Sequence, residues 1–370
     1  MTHLFDPLTL RGLTLKNRIG VSPMCMYCCN GDGKPTEWHM MHLVPRAMGG
    51  AGLTMVEASA VTPEGRIAPG DVGIWGAQHI GPHAKLAAAI KRVGSVPAIQ
   101  IAHAGRKGSR GPGWVHAPAQ QPWTALAPSA AAFGDYATPQ AMSEGDIAAT
   151  IAAFAAAAKR SVAAGYELVE LHAAHGYLLH EFLSPLSNQR NDSWGGDFAG
   201  RTRFVLECAR AVRAALPDAM PMSVRISHTD WVEGGWTTEE SVQLSALLKE
   251  AGADIIDVSS GGLDARQKIP LGPGYQVPGA IAVRQGAGLP VAAVGLITEP
   301  AQAQEIIETG KADLILLARV LLRDPYWPLR AAVALGRPEA ISAPPQYERG
   351  WAALGKVGMN PAMGEPLEAL

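Results

Sequence analysis

Short apolar runs recur along this chain, each set between polar, glycine-bearing stretches. Eight of them read as strands: Ile19–Ser22, Leu53–Ala58, Ala98–Ile101, Leu168–His172, Met222–Ile226, Ile255–Ser259, Val291–Val294 and Leu314–Leu317. Stretches of helical period separate most of them. From the centre onward one pattern repeats: a helix ends at Gly, a polar turn follows, and an apolar run begins. Gly165-Tyr-Glu leads into Leu168, Gly252-Ala-Asp into Ile255, and Gly310-Lys-Ala-Asp into Leu314. Glycine accepts positive φ, so each of these positions predicts a helix stop. The starts agree. Ser143 stands three residues before Asp146, Thr237 three before Glu240, and Thr298 just ahead of Glu299-Pro300, each an N-cap signal.

Strand then helix, eight times, is the arithmetic of an α/β fold of the (β/α)8 TIM-barrel kind. The predicted barrel is one domain over residues 1–340, leaving 341–370 as a C-terminal segment. A doubly wound sheet is the competitor, but the chain has no G-x-G-x-x-G turn. Residues 107–136 are rich in Gly, Pro, Ala and Trp and lack periodicity. They predict a long loop over the barrel mouth after the third strand, with a small hairpin in it.

Composition narrows the class. Of 370 residues, 48% are hydrophobic and 17% charged, which rules out global disorder. Lys plus Arg total 31 against 33 Asp plus Glu, a net charge of -2 that argues against nucleic acid or an anionic membrane as partner. The longest uncharged apolar run, 147–158, is too short to span a bilayer. Four cysteines in a chain this long make no disulfide framework, so a soluble, cytoplasmic protein is expected.

In a barrel, chemistry sits at the C-terminal ends of strands. Those positions hold Cys25, Glu57-Ala58, Gln100 and His103, His172 and His175, Arg225, Ser259-Ser260, Gly295 and Arg319. The sharpest signal is His172-Ala-Ala-His175: two imidazoles where strand turns to loop, able to clamp an oxygen that gains charge. Glu170 shares their face. A metal site would want more ligands and finds no H-E-x-x-H, so no metal is assigned. Cys25-Met-Tyr-Cys28 matches C-x-x-C but lacks a thioredoxin-like setting. The pairs His39/His42 and His79/His83 read as packing and surface residues. Gly295 after strand seven and Arg319 after strand eight fit the usual barrel phosphate site.

These residues, in order, resemble the Old Yellow Enzyme family of FMN-dependent ene-reductases, in its bacterial branch with an active-site Cys. The resemblance runs through Asn17-Arg18, Ser22-Pro-Met-Cys-Met-Tyr27, Glu57-Ala-Ser-Ala60 with Gly65-Arg66, Gln100-Ile-Ala-His-Ala-Gly-Arg-Lys107, and Glu170-Leu-His-Ala-Ala-His-Gly-Tyr177. It continues through Phe182-Leu-Ser-Pro-Leu-Ser-Asn-Gln-Arg190, Trp194-Gly-Gly196, Arg201, Arg225 and Gln346-Tyr-Glu-Arg-Gly-Trp351. It implies FMN across the barrel mouth, held at the isoalloxazine edge by Ser22, Pro23, Met24, Cys25, Ala58, Gln100 and His172. It places Arg225 at the N1/O2 edge, Lys107 nearby, and Gly295, Ala318 and Arg319 on the phosphate.

It further implies a ping-pong reaction: NADPH or NADH reduces FMN, and flavin N5 then passes hydride to the C=C of an α,β-unsaturated carbonyl or nitro compound, often a xenobiotic. His172 and His175 would hold the acceptor's oxygen, Tyr177 would protonate the α carbon, and Tyr27 would wall the substrate. Cys25 would tune the flavin. Arg349, followed by Trp351, would reach a neighbouring subunit's active site in a homodimer or tetramer. Three features depart from the family pattern: Cys28-Cys29 after the Tyr, Ala318 where Gly is usual, and the long 107–136 loop. Two other readings compete: a metal-dependent barrel hydrolase using His172 and His175, and a flavin-bound redox sensor built on Cys25.

Overall fold

The computed structural model describes residues 1–351 and 357–364. All eight expected strands are present: β1 (Ile19–Val21), β2 (Leu53–Ala60), β3 (Val96–Ala102), β4 (Leu168–Ala173), β5 (Met222–Ser227), β6 (Ile255–Ser259), β7 (Val291–Ala293) and β8 (Leu314–Leu317). They pair in sequence order, all parallel, and β8 pairs with β1 to close the barrel. Helices α1 (Glu37–Met48), α2 (Ile80–Arg92), α3 (Glu144–Ala163), α4 (Phe198–Ala215), α5 (Thr238–Glu250), α6 (Val277–Ala287), α7 (Pro300–Glu308) and α8 (Trp327–Ala334) form the outer ring.

Strand alternation sorts the core. Residues such as Val56, Ile99, Val169, Val224 and Ile256 join the large cluster packed on the helices. Leu53, Met55, Ala98, Leu168, Ile255 and Leu314 form a second cluster with Leu8, Leu10 and Leu15. Those leucines belong to an N-terminal hairpin, Leu8–Leu10 against Leu13–Leu15. The sequence reading did not separate this hairpin from the barrel; it packs with the inward residues at the strands' N-terminal ends. The same inward rows continue toward the mouth as Glu57, Gln100, Glu170, Arg225 and Asp257, all buried.

The helix signals mostly hold. Gly165, Gly252 and Gly310 have φ of +85°, +97° and +70°, each just past a helix end. Ser143 Oγ accepts the Asp146 N–H at 3.2 Å, and the Asp146 carboxylate accepts the Ser143 N–H at 2.8 Å. Thr237 and Glu240 make the same reciprocal pair. Thr298 does not cap α7. Glu299 holds that place with no side-chain cap bond, because Pro300 forces the residue before it to be extended (φ -96°, ψ 138°).

The loop after β3 is more ordered than expected. Arg110 and Pro118 form one antiparallel bridge, and Leu126–Ala127 pairs parallel with Gln140–Ala141. The histidines 39, 42, 79 and 83 are all buried, not surface residues. His83 shows why: it bridges the Tyr166 hydroxyl at 2.8 Å and the Gly73 carbonyl at 3.1 Å. The C-terminal segment is described in part. Ser342–Ala343 pairs with Gly358–Met359, while residues 352–356 and 365–370 of that expected segment lie outside the described residues. No helix among the described residues is long and apolar enough to cross a membrane.

The Thr237 cap also fixes Glu240, which pairs with Arg201 at 2.6 Å. Thr237→Ala is expected to lower unfolding stability by about 1 kcal/mol, with Thr237→Ser recovering most of it, as read by urea denaturation.

Candidate active site

Register builds the site. Gln100 lies beside Glu170, Glu170 beside Ser223, His172 beside Arg225, and Arg225 beside Asp257. The side chains follow that geometry. Glu170 accepts from Gln100 Nε2 at 2.8 Å and from Ser223 Oγ at 2.7 Å. Arg225 Nε sits 3.0 Å from Asp257 Oδ2, and its Nη1 is 3.3 Å from Ser22 Oγ. Glu170 is thus a partner of Gln100. Burial, with Asp257 close by, raises its pKa, and Arg225 works against that shift.

His172 and His175 converge as the spacing predicts. Their ring centroids are 5.2 Å apart, and His172 is 5.1 Å from the Tyr177 ring, both edge-on. His172 is buried, and its Nδ1 has no hydrogen-bond partner; His175 and Tyr177 are half-open. Burial, then the Arg225 charge, holds both imidazoles far below the usual 6.5, so they stay neutral. Burial pushes the Tyr177 phenol well up, so it keeps its proton.

His175 sits in a tight turn at φ +59°. Its backbone N–H donates to Ser227 Oγ at 2.9 Å, and its Nε2 lies 2.7 Å from Ser259 Oγ. Gly262 packs so close that a Cβ there would stand 2.6 Å from His175 Cα. Lys107 braces the turn, donating to the carbonyls of His175 and Gly262 at 2.9 Å each. Its ammonium also lies 5.0 Å from the Tyr177 ring centre, and burial lowers its pKa to about 8.

The loop after β1 carries Pro23, Met24, Cys25 and Tyr27, all half-buried. Glu57, at a bulge in β2, anchors it by accepting the Met26 N–H at 2.8 Å. Ala58 is buried beside it. Burial, with Asp71 and Glu57 nearby, raises the Cys25 pKa well above 9.0, so this sulfur is a thiol. Cys25, Cys28, Cys29 and Cys208 are all free. Among the described residues no group of three or more His, Cys, Asp or Glu is arranged to hold a metal.

Gly295, Ala318 and Arg319 do meet. They line a cavity of about 140 Å³ with Thr298 and Arg323. Gly295 has φ +117°, and a Cβ there would stand 2.8 Å from Gln276 Nε2. Gln276 is a residue the sequence reading missed. It accepts from Ser260 Oγ at 2.7 Å and donates to the Val294 carbonyl at 3.0 Å, linking β6 to this cavity. It stands 16 residues beyond Ser260 on an irregular loop, so no motif marked it. Arg323, one helical turn after Arg319, was readable by its spacing. Arg349 is exposed on a short helix, Glu348–Trp351, and Trp351 lies 6.3 Å from Tyr326. Neither has a described contact with His172, His175 or Tyr177.

These features fit FMN. One end offers a cationic cradle with a glycine at closest approach. The mouth offers an oriented amide, a fixed guanidinium and an unpartnered imidazole nitrogen, matching the donors and acceptors of a flavin ring edge.

Comparison with known proteins agrees. Residues 3–337 match the NADH:flavin oxidoreductase / NADH oxidase family. The chain is 48% identical over 351 residues to an NADPH dehydrogenase of Geobacillus thermodenitrificans, covering 95% of this chain and 99% of that one. It is 45% identical over 350 residues to an NADPH dehydrogenase of Bacillus subtilis, covering 94% and 99%. Among solved structures, a 2-naphthoyl-CoA reductase complex superposes with a TM-score of 0.82 at 26% identity, over 92% of this chain and 53% of that one. Morphinone reductase superposes at 0.75 and 24% identity, over 90% of each chain, a likeness of fold. The chain belongs to the NADH:flavin oxidoreductase / NADH oxidase family, the FMN-dependent oxidoreductases of the Old Yellow Enzyme type.

Proposed function

We propose that this chain is an NADPH dehydrogenase whose acceptors are α,β-unsaturated carbonyl and nitro compounds, xenobiotic ones included. The observation that carries the reading is the neutral pair His172/His175 against a protonated Tyr177, with His172 Nδ1 unpartnered. FMN, when bound, supplies hydride transfer between NADPH and the acceptor's C=C. Ser22, Pro23, Met24, Cys25, Ala58, Gln100, His172 and Arg225 would hold its ring, and Gly295, Ala318 and Arg319 its phosphate. Arg225 would stabilise negative charge at the ring edge. NADH is the alternative reductant.

The chain's own groups do the rest. Ser259 Oγ is 2.7 Å from His175 Nε2 but 3.3 Å from Gln276 Oε1, which already accepts from Ser260. Its proton therefore goes to the imidazole, leaving Nδ1–H on His175 as a donor for the acceptor's oxygen. His172 adds the second donor. Tyr177, uncharged, delivers the proton to the α carbon. Tyr27 walls the substrate, and Cys25 would pack a polarisable thiol against the flavin. Arg349 and Trp351 complete the site of a neighbouring subunit in a homodimer or tetramer. The free cysteines suit the cytoplasm.

Anaerobic titration tests the core of this. The purified protein should show flavin absorbance that bleaches with NADPH and returns with cyclohex-2-enone; return with neither an enone nor a nitroalkene sinks the substrate assignment. His172→Ala should bleach as before but reoxidise about 10²–10³-fold more slowly. Because both imidazoles are already neutral, enone reduction should show no inflection near pH 6.5; one that vanishes in His172→Asn would contradict their neutrality. Arg319→Ala should release FMN more readily, raising its Kd about 10- to 100-fold for a lost charge-assisted contact, as read by free flavin fluorescence. Arg349→Ala should leave the sedimenting species intact and raise the enone KM; an active wild-type monomer would refute the shared site.

A further inference from the structure

The excursion after β3 is built as a rigid arm. Its base is fixed by Trp123, whose backbone N–H donates to Ser109 Oγ and whose indole Nε1 donates to the Glu64 carbonyl, both at 2.8 Å. The Arg66 guanidinium lies 5.2 Å from the Trp123 ring and 5.2 Å from the Trp75 ring. The stem closes through Gly111 N–H to the Ala117 carbonyl at 2.8 Å and Ala119 N–H to the Ser109 carbonyl at 3.0 Å. Arg110 ties it down again, donating its N–H to the Ile67 carbonyl at 2.8 Å and stacking 3.9 Å over Tyr136.

What this arm presents is one large ring. Trp114 is 67% exposed, yet it meets Tyr27 edge-on with centroids 5.7 Å apart at 80°. Gly113 lies on the same ring: a Cβ there would stand 3.7 Å from Tyr27 Cε2. Other aromatic rings continue around the mouth. Phe133 and Tyr136 are 5.2 Å apart, and the Lys107 ammonium sits 4.7 Å from Phe133 and 5.0 Å from Tyr177. An indole held two-thirds in water on an anchored arm gains little for the fold. It gains a great deal if a flat apolar group covers it, since aromatic pairs add to simple burial.

We propose that Trp114 is the outer wall of the acceptor pocket, and that it selects acceptors carrying an aryl or similarly flat apolar group beyond the activated C=C. The proposal rests on the ene-reductase reading above and names the acceptors it favours. With the carbonyl at His172 and His175, such a group extends past Tyr27 and lies against the indole. Smaller cyclic acceptors stop at Tyr27. The occupant is the substrate, because the indole packs edge-on against Tyr27, the residue read above as the substrate's wall.

The test is a selectivity ratio on the FMN-loaded enzyme with NADPH. kcat/KM is measured for 4-phenylbut-3-en-2-one and for cyclohex-2-enone in wild type, Trp114→Ala and Trp114→Phe. In Trp114→Ala the aryl-to-cyclic ratio should fall roughly five- to tenfold, through KM for the aryl substrate, the size of one lost aromatic contact. Trp114→Phe should restore most of it. A ratio within twofold of wild type in Trp114→Ala overturns the proposal, as does a loss expressed in kcat alone. Wild type that bleaches with NADPH but reduces neither enone overturns the underlying ene-reductase reading, a separate result.

Discussion

The buried Arg225–Asp257 pair is the constraint on which the rest of the site depends. Both side chains point into a barrel whose lower layers are leucine, alanine and isoleucine. A lone guanidinium there would be prohibitive; breaking such a pair costs about 3–5 kcal/mol. Parallel register delivers the partner, since Arg225 on β5 stands level with Asp257 on β6 and with His172 on β4. The cation so fixed then acts on its other neighbours. It helps keep His172 and His175 neutral, which makes each a donor with one hydrogen and one lone pair, the form suited to an oxygen gaining charge. It also opposes the effect of burial on Glu170, which orients Gln100.

The barrel was legible because its signals are local. Each strand is a short apolar run, and each helix stop is a glycine whose φ only glycine adopts freely, as at Gly165, Gly252 and Gly310. Thr298 shows where local reasoning slips by one: a threonine ahead of Glu-Pro looks like a cap, but proline dictates the conformation of its immediate predecessor. The histidine pair was legible for a different reason. Strand alternation puts Glu170 and His172 on one face, and the turn after β4 brings His175 round beside them.

Contacts set by tertiary packing were not legible. Nothing in the spacing of Lys107 announces that it braces the His175 turn from the short turn after β3, or that Gln276 reaches back to Ser260 and on to Val294. The buried state of His39 and His79 was likewise missed, because a histidine's burial depends on a neighbour that satisfies it. For His79 that neighbour is the Asp32 carbonyl, 2.9 Å from Nε2, on a loop 47 residues away. The identity of the cofactor came from the ordered resemblance across the chain, and then from the family match, not from any single motif.

On the function proposed above, chemistry and selectivity are carried by different kinds of element. The groups that hold charge and protons sit on β4, β5 and β6 and at the turn after β4, where register fixes them within the barrel. Tyr27 and Trp114 sit on connections after β1 and β3, where length and sequence change without disturbing strand pairing. The two meet at the ring of aromatic side chains around the mouth. Because the Lys107 ammonium lies over both the Tyr177 and Phe133 rings, the arm's position and the face of Tyr177 share one cation. A change in the arm that displaced Phe133 would move that ammonium, and with it the brace on the His175 turn. Divergence in acceptor range is thus free at the tip of the arm, around Trp114, and constrained at its base, where the residues that carry the arm also support the chemistry.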